Sequence, residues 1–182
     1  MTVFVSFLRG VNVGGHGRLN MTALKDAYVA VGLKDVQTLL QSGNVLFRSN
    51  LRDRDALAKR ITQELERRFE LEIDVIVRTL AEVRMIVERG PASPRLDPRK
   101  LHVMFLSSAP DARQQASLAE AHKGPETLEM RGPEIYLYYP NGVGRSKLSG
   151  AFIERKLDTS GTARNWNTLE KIIEVGTKLE GS

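Results

Sequence analysis

The chain has no cysteine. That excludes a disulfide framework, a thiolate-bound metal and a cysteine nucleophile, and it fits a reducing, cytoplasmic compartment. Histidine is nearly as scarce: His16, His102 and His122 stand apart, with no His-x-x-x-His pair and no carboxylate cluster at ligand spacing. Neither a metal site nor a cofactor is therefore expected. No apolar run approaches the roughly 18 residues that cross a bilayer, and Met1-Thr2-Val3-Phe4 lacks the basic start of a secretory signal, so no membrane attachment is expected. Aromatic residues make up 6% of the chain, and Gly43-Asn44-Val45-Leu46-Phe47 lacks the aromatic pair with which an RNA-recognition strand stacks bases. A strong charge imbalance is missing too. The 27 basic and 22 acidic residues leave +5, spread almost evenly over the two halves, which reads as a mildly basic surface rather than a dedicated nucleic-acid patch.

What is present is a repeated order of elements. Residues 3–8 are apolar with β-branched and aromatic members, a buried strand. After a glycine-rich loop, Asn20 can cap a helix carrying Met21, Leu24, Tyr28 and Val31 at helical spacing, with Gly32 as its stop. Residues 36–40 and 45–48 read as strands around the turn Ser42-Gly43-Asn44. Leu57, Ile61, Leu65 and Phe69 mark a helix over 53–69. Leu71, Ile73, Val75 and Val77 alternate with Glu72 and Asp74 as a half-buried strand would. Thr79 and Glu82 have capping-box spacing at the head of a short helix ending at Gly90.

Pro91, Pro94 and Pro98 then make residues 91–99 the best candidate linker. Beyond it the order recurs: strand 101–106, helix 111–121, strand 126–130, strand 134–139, and two helices over 148–157 and 166–179, with no final strand in evidence. The expected fold is α+β, two tandem ferredoxin-like (βαββαβ-type) subdomains over residues 1–90 and 100–182. The second is atypical, with C-terminal helices.

Four polar motifs have no evident core role. Arg9-Gly10-Val11-Asn12-Val13-Gly14-Gly15-His16-Gly17-Arg18 leaves a strand and enters a helix. Glycines there let backbone amides approach an anion, and a helix N-terminus favours one. The run is neither a Walker A loop nor G-x-G-x-x-G. Gln41-Ser42-Gly43-Asn44 is a tight turn on its own reading. Gly142-Val143-Gly144-Arg145-Ser146-Lys147-Leu148 is a second glycine-rich entry to a helix, bearing two cations. Ser146 and Lys147 are adjacent and do not face each other on a helix, which weakens a serine–lysine nucleophile. Thr162-Ala163-Arg164-Asn165-Trp166-Asn167-Thr168 surrounds the single tryptophan with hydrogen-bonding groups; Trp166 also keeps helical register with Leu169 and Ile173.

Together and in this order, Leu8-Arg9-Gly10-Val11-Asn12-Val13-Gly14-Gly15, Gln41-Ser42-Gly43-Asn44-Val45-Leu46-Phe47, Arg145-Ser146-Lys147-Leu148 and Thr162-Ala163-Arg164-Asn165-Trp166-Asn167-Thr168 resemble the bacterial family known as domain of unknown function 1697. The resemblance covers essentially the whole chain. It implies an α+β fold of two subdomains and supplies no reaction, cofactor or catalytic residue.

The residues themselves point to a phosphorylated small molecule or nucleotide bound where the halves meet. Arg9, Arg18, Arg145, Lys147 and Arg164 would neutralise charge, Asn12, Asn44, Asn165 and Asn167 would fix orientation beside Trp166, and the amides of Gly14 and Gly15 would cradle an anion. Two alternatives stay open at this point: a nucleic-acid partner along an open surface, and a structural role for the same arginines and asparagines. No nucleophile or base is named, so turnover is open as well.

Overall fold

A computed structural model describes residues 1–11, 19–93 and 95–181. The chain runs β1 (Thr2–Leu8), α1 (Met21–Ala30), β2 (Lys34–Leu39), β3 (Asn44–Ser49), α2 (Arg54–Phe69), β4 (Val75–Thr79) and α3 (Leu80–Arg89). It continues with β5 (Leu101–Leu106), α4 (Ala112–Ala121), β6 (Thr127–Arg131), β7 (Glu134–Tyr138), a 3-10 turn (Val143–Arg145), α5 (Gly150–Leu157), β8 (Gly161–Asn165) and α6 (Trp166–Glu180). The fold is α+β: among the described residues there are six α-helices and two four-stranded antiparallel sheets, ordered β2-β3-β1-β4 and β6-β7-β5-β8. None of these helices is long and apolar enough to cross a membrane.

The chain divides into two compact units, Met1–Ile86 with Lys171–Ser182, and Val87–Glu170. In the first, α1 starts because Asn20 Oδ1 accepts the amides of Thr22 and Ala23 (2.8 and 3.1 Å). Asp53 does the same for α2, whose Leu57, Ile61 and Leu65 point into the core with Phe4, Leu24, Tyr28 and Phe47. Phe4 and Phe47, directly opposite on β1 and β3, stack at 5.7 Å. The C-terminal stretch of α6 belongs to this unit: Gly176 has no side chain where Leu80 of α3 packs, and Arg84 pairs with Glu180 (2.8 Å). In the second unit Asp111 and Gln114 form a capping box on α4, Ser149 caps α5, and Met104, Leu118, Ile135, Leu137, Ile153 and Leu157 fill the core.

The repeated order expected from sequence extends to individual bonds. Leu8 N donates to Gly43 O (2.9 Å) as Leu106 N does to Pro133 O (2.8 Å). Arg9 N donates to Asp74 O as Ser107 N does to Ser160 O, both at 2.9 Å. Val5 faces the buried Arg78 across β1 and β4, and Val103 faces the buried Arg164 across β5 and β8.

Two expectations need correcting. The fourth strand begins at Val75 and runs to Thr79, leaving Leu71 outside it at 43% exposure. The second unit also has its final strand, β8, where sequence reading left none. Of its residues, Gly-Thr-Ala-Arg-Asn, only Thr162 favours a strand; it is an edge strand held by pairing to β5 alone. Gly161 opens it because a Cβ there would lie 2.7 Å from Met104 Cε and 3.0 Å from Phe105 O.

Candidate functional site

The motifs of the first unit meet at the exit of β1. Gly43 has φ +76°, and a Cβ on it would sit 2.8 Å from Leu8 Cβ and 3.4 Å from Val11 Cβ, so the turn packs against the start of the glycine-rich loop. Asn44 is fully buried, its Nδ2 donating to Leu39 O (3.0 Å) and Ser42 Oγ (2.9 Å). Arg9 is exposed and lies 3.8 Å from Asp74. Asn12, Gly14, Gly15, His16 and Arg18 fall outside the described residues.

The tryptophan motif closes β8 and opens α6. Asn165 Nδ2 donates to the carbonyls of Pro98, Arg99 and Leu101 (3.2, 3.0 and 3.3 Å), while its Oδ1 accepts from Asn167 N (3.0 Å). One side chain thereby ties the lead into β5 to the head of α6. Arg164 Nη1 donates to Thr162 Oγ1 (2.6 Å) and Ala163 O (2.9 Å). Burial lowers its guanidinium to about 10, still cationic at neutral pH. Trp166 lies 6.5 Å from Tyr136, ring centre to ring centre, and the Asn167 side chain is exposed.

Arg145 and Lys147 occupy a different place. With Lys123 they line a cavity of about 460 Å³ entirely inside the second unit, between the loop that follows α4 and the connection from β7 to α5. That connection is built rather than slack. Tyr139 is buried and donates its hydroxyl to Leu148 O (3.0 Å), joining the two ends of the loop. Lys100 Nζ holds Pro140 O (2.7 Å), and the Ser146 hydroxyl accepts Leu148 N (2.9 Å). Burial, with the Glu126 charge added, pushes the Tyr139 hydroxyl up to about 12, so it stays a donor at ordinary pH.

The cavity is unbalanced electrically. Among the described residues the side chains of Lys123, Arg145 and Lys147 have no hydrogen-bond or ion-pair partner. The nearby carboxylate, Glu126, is engaged by one oxygen: its Oε1 accepts the Ser146 hydroxyl (2.5 Å), and its Oε2 lies 2.0 Å from where a Cβ on residue 124 would be. The Ser146 bond holds the Glu126 carboxyl below the usual carboxylate range, so it remains ionised. His122 has its Nε2 2.8 Å from the backbone carbonyl of Glu126, which fixes the ring by donation from Nε2–H. Among the described residues no three His, Asp or Glu side chains gather as a metal would require.

The corresponding connection of the first unit is shorter. The connection from β3 to α2 is only residues 50–53, Val31 and Leu51 pack onto the core, and Arg60 Nη2 caps Val31 O (2.8 Å). In the second unit the β7–α5 connection is longer, residues 139–149, and lines the cavity. Sequence reading found Arg145 and Lys147 there but missed Lys123, Asn141, His122 and Glu126. The one available signal was Gly124-Pro125 directly after a helix, a turn pair flanked by Lys123 and Glu126.

Two antiparallel four-stranded repeats, with a cationic cavity at one expanded connection, define the kind of protein this is. The chain belongs to the family described as Protein of unknown function (DUF1697), matched over residues 1–136. Among solved structures it is similar to the conserved bacterial protein SP0830 from Streptococcus pneumoniae, at 19% identity and a TM-score of 0.74. That match covers 96% of this chain and 98% of the other, and it speaks to the fold. No curated protein matches the chain.

Proposed function

We propose that this protein binds a phosphorylated small molecule or nucleotide, with the phosphate held by Lys123, Arg145 and Lys147. The observation that carries the reading is three cations without side-chain partners on one cavity whose carboxylate is already bonded. Unpaired cations on a concave surface repel one another, and an anion with several acceptor oxygens relieves all of them at once. The nearby N-terminus of α5 adds a weak favourable field. Arg9, Asn44, Arg164, Asn165, Trp166 and Asn167 lie outside this cavity, and the bonds of Asn44 and Asn165 to backbone carbonyls support a scaffold role for them. The strand orders β2-β3-β1-β4 and β6-β7-β5-β8 support a ferredoxin-like reading of each unit.

Equilibrium titration of the whole chain with inorganic phosphate, AMP and a short single-stranded oligonucleotide, at low and high salt, tests the proposal. A saturable site for AMP is expected, weakened about tenfold or more by Arg145→Ala or Lys147→Ala, as loss of a charge-assisted bond predicts. Binding of the oligonucleotide alone, falling steeply with salt, would mark an open nucleic-acid surface and refute the pocket.

A further inference from the structure

Resting on the phosphate reading above, we infer that the cavity takes a phosphate ester whose remaining body is apolar and planar, seated against Phe152 and Leu148. Inorganic phosphate occupies only part of a cavity of roughly 460 Å³, which is partly open to solvent. What fills the rest is set by the walls. Beside the three cations and the polar side chains of His122, Glu126 and Asn141, the lining is carbon: Ala121, Pro125, Leu148 and Phe152.

That wall is rigid. Leu148 is 2% exposed and belongs to the unit's hydrophobic core, Phe152 packs on the same cluster with Arg155 and Lys156 of its own helix 5.6 and 6.0 Å from its ring centre, and the Tyr139 hydroxyl fixes the carbonyl of Leu148. A preformed apolar face receives a flat apolar body without first having to order itself. Neutral groups for a sugar's hydroxyls are few, so a nucleotide would be held here by its phosphate and flat base rather than by its ribose. One oxygen of the Glu126 carboxylate accepts from Ser146 and the other lies close to Gly124, and His122 is tied to the Glu126 carbonyl, which leaves Asn141 as the neutral polar side chain with no partner among the described residues. A polyol seated here would lose hydration at several hydroxyls and regain few bonds, which disfavours it.

The test compares three probes on the full chain by calorimetric titration: inorganic phosphate, phenyl phosphate and glucose 6-phosphate. Phenyl phosphate is expected to bind at least about tenfold more tightly than either of the others, the gain from roughly one buried ring face. In Phe152→Ala that ratio is expected to fall towards one. If the truncated chain does not fold, Phe152→Leu keeps the packing, removes the ring, and reads the same ratio. Phosphate and phenyl phosphate binding equally, or glucose 6-phosphate binding best, overturns this inference and leaves the cationic site standing. Silence from all three probes overturns the phosphate reading and this inference together.

Discussion

Replacing Tyr139 by phenylalanine isolates the bond that closes the cavity loop. The ring is retained, including its edge-on contact with His102 at 5.5 Å, so packing volume changes little. What goes is the hydroxyl's 3.0 Å bond to Leu148 O. Tyr139 is 4% exposed and Leu148 2%, so the orphaned carbonyl gains little from water. Leaving one buried neutral acceptor unpaired costs about 1–3 kcal/mol. For a chain of 182 residues each kcal/mol moves Tm by roughly 2–4 °C, which gives a fall of between about 2 and 12 °C. Thermal unfolding followed by circular dichroism measures it, and AMP affinity is expected to drop with it as the loop loosens. An unchanged Tm would mean that the loop ends are held by their flanking elements and not by this bond, which would refute the reasoning.

Two further substitutions test the local reasoning. Gly43→Ala should destabilise more than Gly132→Ala, although both glycines have positive φ (+76° and +59°). Both variants carry the left-handed backbone penalty of about 1–2 kcal/mol, but only a Cβ at 43 meets another side chain, Leu8 at 2.8 Å, whereas nothing lies within 4 Å of residue 132. Chemical denaturation of both variants decides this, and equal losses would refute the close-packing account. Ser146→Ala should change the acid limb of stability. Because the Ser146 bond depresses the Glu126 carboxyl in the folded state, that bond stabilises the protein above the ordinary glutamate range near ~4.3, and the stabilisation is lost as pH falls through the folded value. The Tm gap between wild type and Ser146→Ala should therefore narrow on acidification below about pH 4, and parallel curves would count against the coupling.

Much of the fold was legible because it is local. The i, i+4 spacing of Leu57, Ile61 and Leu65, the cap at Asn20 and the turn at Ser42-Gly43-Asn44 are written in neighbouring residues, and each element formed where those patterns lie. β8 was not legible. Its stability comes from hydrogen bonds to β5, more than fifty residues away in the chain, and of its own residues only Thr162 favours a strand. The start of β4 was misread for a similar reason: alternation at Leu71 and Ile73 looks like a strand, yet pairing with β1 begins only at Val75.

The sequence by itself determined composition, element order, caps and the presence of four polar motifs, since these depend on residue type and short spacing. Only the tertiary structure decided what each motif touches. It turned Asn44 and Asn165 towards backbone carbonyls, and it placed Arg145 and Lys147 beside a lysine some twenty residues earlier that no local pattern links to them. It also grouped the last turns of α6 with the first unit. Contacts between distant segments follow from how whole elements pack, and packing is a property of surfaces that a linear pattern does not contain.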